Sequence, residues 1–381
     1  MEKLREAWKN PVLRQFLIVG TLCAAVAAYF LIEYIIYIKS PRKLRIVFFD
    51  AGFGNATLLT TPSGKEILID GGQRGLRGVW DYGATTIAPT FTKFKISSLD
   101  MVVVTSLRPG NIGGLIYIME YYPTKRVILS VDPKIYNTNT GYIEFLEKLG
   151  DWQLLSNPFV PEACVLYLNY YDLMKRGLMP EGTATRPKET SGVIEKTILQ
   201  SEKLPEIPSK KPQEGEIIYT EEYKGKKLRI KALAPLAEQI TGTADDIGNN
   251  SVVLKITYGD ASFLITSNIK RDAELALISR WKKELISDCM VVPSNGSPNA
   301  SSPEFIRTVS PQIAIWSHSY LTRNLQVLDK YFYESDAQPV IKEYTKRKIK
   351  VYHLEKTGAV IVETHGSKFD IARDVRTVFN R

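Results

Sequence analysis

The stretch "VVVTSLRPGNIGGL", Val102–Leu115, gives the strongest indication of the fold. Its β-branched start is typical of a strand covered on both faces, and a glycine pair opens the apolar helical segment that follows the loop "SLRPGN". This is the frame of a metal-dependent site at the end of a strand. The loop, however, contains no histidine, cysteine or carboxylate, so the frame is present without metal ligands.

The segments around this stretch alternate between strand and helix patterns. Three β-rich runs precede it, "LRIVFFD", "ATLLTT" and "EILID", with "PSGK" as a turn, and the buried strand "KRVILS" follows the predicted helix "IGGLIYIMEYY". The β pattern returns at "KLRIKALAP" and in "NNSVVLKITYGDASFLITSN", which predicts a hairpin that turns at "YGDA". Helix and strand patterns then alternate up to "KVYHLEKTGAVIVET", which predicts a closing hairpin. This order predicts a four-layer α/β-β/α sandwich.

The middle of the chain follows a different pattern. Two helices are predicted there, "YIEFLEKLG" (142–150) and "EACVLYLNYYDLMKRG" (162–177), each ending at a glycine. The proline-rich run from Leu204 to Glu216 predicts a linker or an exposed loop. We treat about 131–221 as an elaboration of the domain.

The N-terminal region predicts a membrane anchor. From Phe16 to Ile38 the chain is apolar except for Glu33, long enough to cross a hydrocarbon core of about 30 Å, and too long for a cleaved signal peptide. The prediction is a tail over 1–15, a transmembrane helix over 16–38 and one domain over 43–381. Four basic residues on each side of the span leave its orientation open.

Composition narrows the function only slightly. The net charge of +9 is compatible with nucleic acid or an anionic membrane surface, and equally with a solvated basic face. The three cysteines, Cys23, Cys164 and Cys289, form no C-x-x-C motif, although the last two could pair.

Six motifs in order resemble the metallo-β-lactamase superfamily, in particular the ComEC-type competence domains and their membrane-anchored relatives. They are "FDAGFGNA" (49–56), "LIDGG" (68–72), "ISSLDMVVVT" (96–105), "GNNSVVL" (248–254), "SFLITSN" (262–268) and "VPSNGS" (292–297). The resemblance implies the four-layer αββα sandwich, on the outer face of a bacterial cytoplasmic membrane.

The family's metal-binding motifs are degenerate in this chain. On the family's T-H-x-H-x-D-H-x-G-G-L, Ser106 and Arg108 take the first two histidine positions, Gly110 the aspartate's and Asn111 the last histidine's. The later aspartate falls on Asn268, and the histidine pair of H-H-G-S falls on Ser294 and Asn295. Asp70 alone is retained, and in the family it braces the ligand loop.

This loss argues against zinc chemistry. Zinc takes imidazole, thiolate or carboxylate ligands, and Arg108 places a fixed positive charge where the cation would lie. The three histidines, His318, His353 and His365, fall on no ligand position. We therefore expect no metal or other cofactor, no small-molecule substrate and no catalysis, but a membrane-anchored scaffold or adaptor for other membrane or envelope proteins.

Two alternative functions are also compatible with the sequence. Arg108 and Asn111 at a helix N-terminus are candidate binding groups for an anion or a nucleic-acid backbone, unless Arg108 is paired with Asp70 or a neighbour. A hydrolase with unusual ligands would instead use the side-chain oxygens of Asp70, Asn111, Asn268 and Asn295 for Mg²⁺ or Ca²⁺.

Overall fold

A computed structural model of the protein describes residues 11–39, 42–52, 54–74, 81–106, 108–130, 209–317, 334–367 and 369–373. The chain divides into two compact units, 1–42 and 43–381. The first contains helix α1 (Pro11–Lys39), which includes the predicted anchor. Within the described part of the chain, no helix combines the length and the apolar character that crossing a membrane requires. The transmembrane helix therefore stays a prediction.

The second unit is built on two mixed sheets. The first sheet has the order β15-β14-β1-β2-β3-β4-β5-β6, and the second has the order β13-β12-β11-β10-β9-β8-β7. The strands are β1 (Leu44–Phe49), β2 (Thr57–Thr60), β3 (Glu66–Ile69), β4 (Met101–Val104), β5 (Val127–Leu129), β6 (Ser209–Lys210), β7 (Ile217–Tyr223), β8 (Lys226–Ala234), β9 (Val253–Tyr258), β10 (Ala261–Ile265), β11 (Cys289–Val291), β12 (Ile313–Trp316), β13 (Lys350–His353), β14 (Ala359–Thr364) and β15 (Phe369–Arg373).

The second unit also contains helices, and those longer than four residues pack on the outer faces of the two sheets. The helices are α2 (Ala88–Phe94), which continues the π-helical turn Gly83–Ile87, then α3 (Pro109–Tyr121), α4 (Asp246–Asn249), α5 (Arg271–Trp281), α6 (Pro303–Val309), α7 (Glu334–Lys346) and α8 (Leu354–Thr357). Short 3₁₀ turns follow α5 at Lys282–Leu285 and β11 at Pro293–Gly296.

Three apolar cores define four layers. One core lies between the sheets and is formed by every second residue of the strands, such as Leu44, Ile46 and Phe48 on β1. A second packs α2 and α3 against the first sheet, and a third packs α5, α6 and α7 against the second sheet. The predicted α/β sandwich with two sheets and helices on both sides is confirmed.

Two strand predictions need correction. The segment "KVYHLEKTGAVIVET" is not a hairpin, because β13 pairs with β12 in the second sheet whereas β14 pairs with β1 in the first. Helix α8 and the positive φ of Gly358 carry the chain from one sheet to the other. The run from Leu204 to Glu216, predicted to be a linker or an exposed loop, contains β6, a two-residue strand beside β5. The predicted hairpin of β9 and β10 is confirmed.

Several sequence predictions lie outside the described residues. They are the two helices at 142–150 and 162–177, most of the elaboration, Cys164 and His318. Cys289 is fully buried on β11, and burial raises the pKa of its thiol.

Helix α3 lies in unusually close contact with the backbone after β3. A Cβ atom on Gly114 would stand 2.1 Å from the carbonyl oxygen of Gly71, and one on Gly113 would stand 2.4 Å from the backbone nitrogen of Arg74. The backbone N–H of Gly114 donates to the carbonyl of Gly72 at 3.1 Å. The glycine pair therefore permits the close helix–sheet packing inferred from the sequence.

Candidate functional site

The candidate site lies where strand ends from both sheets meet. Strands β3, β4 and β5 run parallel to one another, as do β10 to β13, so their carboxyl ends share an edge in each sheet. Asp70 follows β3 and Thr105 follows β4 in the first sheet. In the second sheet, Asn268 lies beyond β10 and Ser294 beyond β11. The sequence motifs are thus collected at one edge of the sandwich.

Asp70 is the centre of a buried hydrogen-bond network. Its Oδ1 accepts the backbone N–H of Thr105 at 2.8 Å, and its Oδ2 accepts the Thr105 hydroxyl at 2.5 Å and Nδ2 of Asn111 at 2.8 Å. Nδ2 of Asn268 donates to Oδ1 of Asn111 at 2.8 Å. The Oγ atoms of Thr105 and Ser267 lie 2.6 Å apart. We call these five residues the central network; it joins the two sheets.

The central network leaves Asp70 in an unfavourable place for a negative charge. Burial raises the pKa of this fully buried carboxyl to about 7, although the hydrogen bonds from Thr105 and Asn111 oppose the shift. Its backbone also lies in the left-handed region, with φ of 57°. Removing Asp70 would therefore destabilise the fold, and ionising its buried carboxyl also costs free energy.

Arg108 is held by a carboxylate that the sequence analysis did not identify. Its guanidinium donates to Asp245, and Nζ of Lys270 lies 2.9 Å from the other oxygen of Asp245. Asp245 also caps α4, accepting the backbone N–H of Gly248 at 2.9 Å. Burial favours a higher pKa for Asp245, but Arg108, Gly248 and Lys270 together hold it below its usual value.

The two candidate anion-binding residues are engaged by the protein itself. The amide of Asn111 donates to Asp70 and accepts from Asn268, and its backbone N–H donates to the carbonyl of Arg108 at 2.8 Å. Arg108 faces Asp245. This arrangement matches the alternative in which Arg108 is paired, with Asp245 rather than Asp70 as its partner.

The remaining former ligand positions are fixed largely by backbone contacts. Ser294 and Asn295 both have left-handed backbone conformations in the 3₁₀ turn after β11. The carbonyl of Asn295 accepts the indole N–H of Trp316 at 2.8 Å, and the backbone N–H of Ser294 donates to Ser267. Ser106 is fully buried, and its hydroxyl has no partner among the described residues.

The donor set does not fit the metal centre of the resembled family. The side-chain oxygens of Asp70 and Asn111 already accept hydrogen bonds within the central network. The other positions offer neutral hydroxyls or amides and one guanidinium, and none of these groups is a good ligand for Zn²⁺. Across the described ranges, no three His, Cys, Asp or Glu side chains come together as metal ligands would. We derive no reaction step through a metal.

Four residues of this site are not among those predicted from the sequence: Thr105, Ser267, Asp245 and Lys270. Thr105 and Ser267 stand beside ligand positions within the quoted motifs. For Asp245 the sequence offers an indication, because aspartate is a preferred residue at a helix N-cap and Asp245 directly precedes α4. Nothing in the sequence pairs it with Arg108, which is 137 residues away.

Asn268 is expected to contribute measurably to stability. Replacement by alanine removes the donor to Oδ1 of Asn111 and leaves that buried oxygen unsatisfied, which should lower the unfolding free energy by about 1–2 kcal/mol. Urea unfolding of Asn268→Ala measures this change. Asn299→Ala removes an exposed amide instead and should change stability by less than about 0.5 kcal/mol. Equal effects of the two substitutions would contradict a structural role for the central network.

Two proteins in sequence comparisons share a short segment with this chain. The uncharacterized protein YcaI of Escherichia coli is 34% identical over 92 residues, which is 24% of this chain and 12% of YcaI. The competence protein ComA of Neisseria gonorrhoeae is 34% identical over 76 residues, 20% of this chain and 11% of ComA. The match thus spans about an eighth of each relative or less. No protein-family profile matches the chain.

Structural neighbours include metallo-β-lactamase superfamily proteins. A putative metal-dependent hydrolase from Parabacteroides distasonis has a TM-score of 0.37 and 12% identity over 82% of this chain and 94% of its own. An archaeal superfamily protein from Sulfolobus tokodaii has a TM-score of 0.33 and 14% identity over 80% and 96%. The match to ComA agrees with the resemblance to competence domains that the sequence motifs carry.

Proposed function

We propose that this chain is a catalytically inactive protein of metallo-β-lactamase-like fold that acts as a scaffold or adaptor in a membrane-associated assembly. The observation that carries the proposal is the central network: residues at former ligand positions hydrogen-bond one another across the two sheets. The strand ends at which a metal would bind are instead hydrogen-bonded to one another, and these bonds join the two sheets.

The charge near the former site supports this proposal. Arg108 and Lys270 share the carboxylate of Asp245, so this group of three carries one net positive charge. A divalent cation at the same strand ends would be repelled by it. A cation would also have to displace the hydrogen bonds of Asp70 and Asn111.

A place at the membrane is the second part of the proposal. The apolar run from Phe16 to Ile38 is long enough to cross a bilayer, and ComA, which shares a segment with this chain, is named a competence protein. We propose that the run anchors the chain in a bacterial cytoplasmic membrane, with residues 43–381 outside the cytoplasm. Its partners are then other membrane or envelope proteins.

Metal content is the measurement that tests the loss of catalysis. The full chain, purified in non-ionic detergent, is incubated with Zn²⁺, Mn²⁺ and Mg²⁺, desalted and analysed for bound elements. We expect far less than one ion per folded chain, because the ligand positions offer no adequate donor set. A metallo-β-lactamase treated in the same way is the positive control. One or two ions per chain that are lost in Asp70→Asn would overturn the proposal.

A further inference from the structure

The outer face of the second sheet is basic at its β7–β8–β9 end, where a cavity of about 600 Å³ opens. We call this surface the basic patch and define it by five residues that line the cavity. They are Arg229, Lys231, Lys255, Thr257 and Lys283. The exposed side chains of Ile217 and Ile286 line the same cavity. The patch belongs to a different part of the fold from the central network.

Strand register explains why these side chains gather on one face. Lys231 on β8 lies directly opposite Lys255 on β9, and Arg229 lies opposite Thr257. Farther along the same strands, Leu233 and Val253 pack under the helices in the third apolar core. The outer face therefore changes from apolar beneath the helices to basic beyond them. Like charges placed directly opposite each other cost stability, so folding alone does not favour this arrangement.

The charges of the patch are only partly compensated. Arg229 and Lys283 are exposed and have no acidic partner among the described residues, whereas Lys231 pairs with Glu284 at 2.6 Å. The carboxylates that line the cavity are Glu284 and Asp260. Among the described residues that line the cavity, four cations against two carboxylates give a net charge of +2.

Lys255 places a positive charge at the base of the cavity. Its side chain is buried, and Nζ donates to neutral oxygens, the carbonyl of Ile286 and, at 2.6 Å, the hydroxyl of Ser287. Burial lowers the pKa of this amine to about 8, although Asp288 and Glu284 favour the charged form. An anion in the cavity would compensate the charge of Lys255, which contacts no carboxylate in the part of the chain that the structure describes.

We propose that the basic patch binds a phosphoryl group of a ligand whose apolar remainder lies against Ile217 and Ile286. A guanidinium, several ammonium groups and the Thr257 hydroxyl match the many acceptor sites of a tetrahedral oxyanion. Ile217 and Ile286 are 49% and 55% exposed and supply an apolar wall beside the charge. This inference does not depend on the proposed scaffold function.

The test compares phosphate probes on the full chain in non-ionic detergent by titration calorimetry at low salt. Phenyl phosphate should bind more tightly than inorganic phosphate, because its ring gains contact with the apolar wall. Arg229→Ala/Lys283→Ala should weaken phenyl phosphate binding about tenfold or more, since two charge-assisted contacts are lost. Lys342→Ala/Lys356→Ala removes the same net charge from exposed positions elsewhere and should leave affinity within about twofold.

A second probe identifies the source of the phosphoryl group. Dihexanoyl phosphatidylglycerol, used below its micelle concentration, presents a lipid headgroup. Tighter binding of this lipid than of phenyl phosphate assigns the patch to a headgroup, and the reverse order assigns it to a soluble phosphate ester. The proposal is overturned if none of the probes binds at millimolar concentration, or if the two double variants lose affinity equally.

Discussion

Replacement of Asp70 by alanine is expected to lower the free energy of unfolding by about 3–5 kcal/mol, a large part of the roughly 5–15 kcal/mol by which folded domains are ordinarily stable. The substitution removes the carboxylate that accepts from three buried donors, the N–H and hydroxyl of Thr105 and the amide of Asn111. The N–H of Thr105 is then left without its acceptor, whereas the hydroxyl and the amide keep only the contacts within the network, at 2.6 Å to Ser267 and 3.2 Å to Thr105. It also opens a cavity at a fully buried position. Urea unfolding followed by circular dichroism measures the change.

The control for this substitution is Asp260→Ala, since Asp260 is an exposed aspartate on the turn between β9 and β10. Its removal should change stability by less than about 0.5 kcal/mol. If Asp70→Ala lowered the free energy of unfolding no more than Asp260→Ala does, Asp70 would have no structural role. The central network would then no longer explain why the sandwich retains this residue.

The pH dependence of stability gives a second measure of Asp70. Its pKa rises from 3.8 to about 7 in the folded chain, so the folded state binds more protons than the unfolded state between these values. The contribution of Asp70 to stability is therefore fully present below about pH 4, and it is lost as the pH rises to about 7. The loss is of the order of 4 kcal/mol at about 1.4 kcal/mol per pH unit.

The variant Asp70→Asn isolates this contribution. Glu66 and Glu274 also have pKa values raised by burial, and both are retained in the variant. The stability difference between wild type and Asp70→Asn should therefore shrink as the pH rises from 5 to 8. A difference that is constant across this range would show that Asp70 does not titrate there.

The elements that local patterns determine agree with the sequence prediction. The apolar run of β4, the glycines that seat α3 and the turn between β9 and β10 all depend on residues close in the chain. The two sheets were also predictable, because six motifs occur in the family's order. The closing hairpin was wrong because the choice of sheet depends on distant partners, such as Leu44 opposite Thr364.

The same distinction applies to the candidate site. The positions of Asp70, Asn111 and Asn268 follow from the motifs that contain them. Their mutual hydrogen bonds depend on how close two sheets come, and Asn111 and Asn268 are 157 residues apart. The pairing of Arg108 with Asp245 is equally non-local. Residue types indicate which chemistry is lost, whereas only the packing shows what replaces it.

Gly114→Ala is expected to destabilise the domain by at least about 3 kcal/mol, despite a gain of about 1 kcal/mol in helix propensity. The added methyl group would stand 2.1 Å from the carbonyl oxygen of Gly71 and 2.6 Å from the backbone nitrogen of Gly83. Both neighbours are backbone atoms, so no side-chain rotation relieves the contact. Helix α3 must move away from the first sheet.

That movement links helix packing to the central network. The carbonyl of Asn111 accepts the N–H of Gly71 at 2.6 Å, and the Asn111 side chain contacts Asp70 from the same first turn of α3. A displaced helix weakens both contacts, so amide exchange at Gly71 and Thr105 should accelerate together with the loss of stability. Glu120→Ala, at an exposed position on α3, should leave stability and exchange nearly unchanged. Destabilisation by Gly114→Ala without faster exchange at Thr105 would show that the close packing and the network are independent.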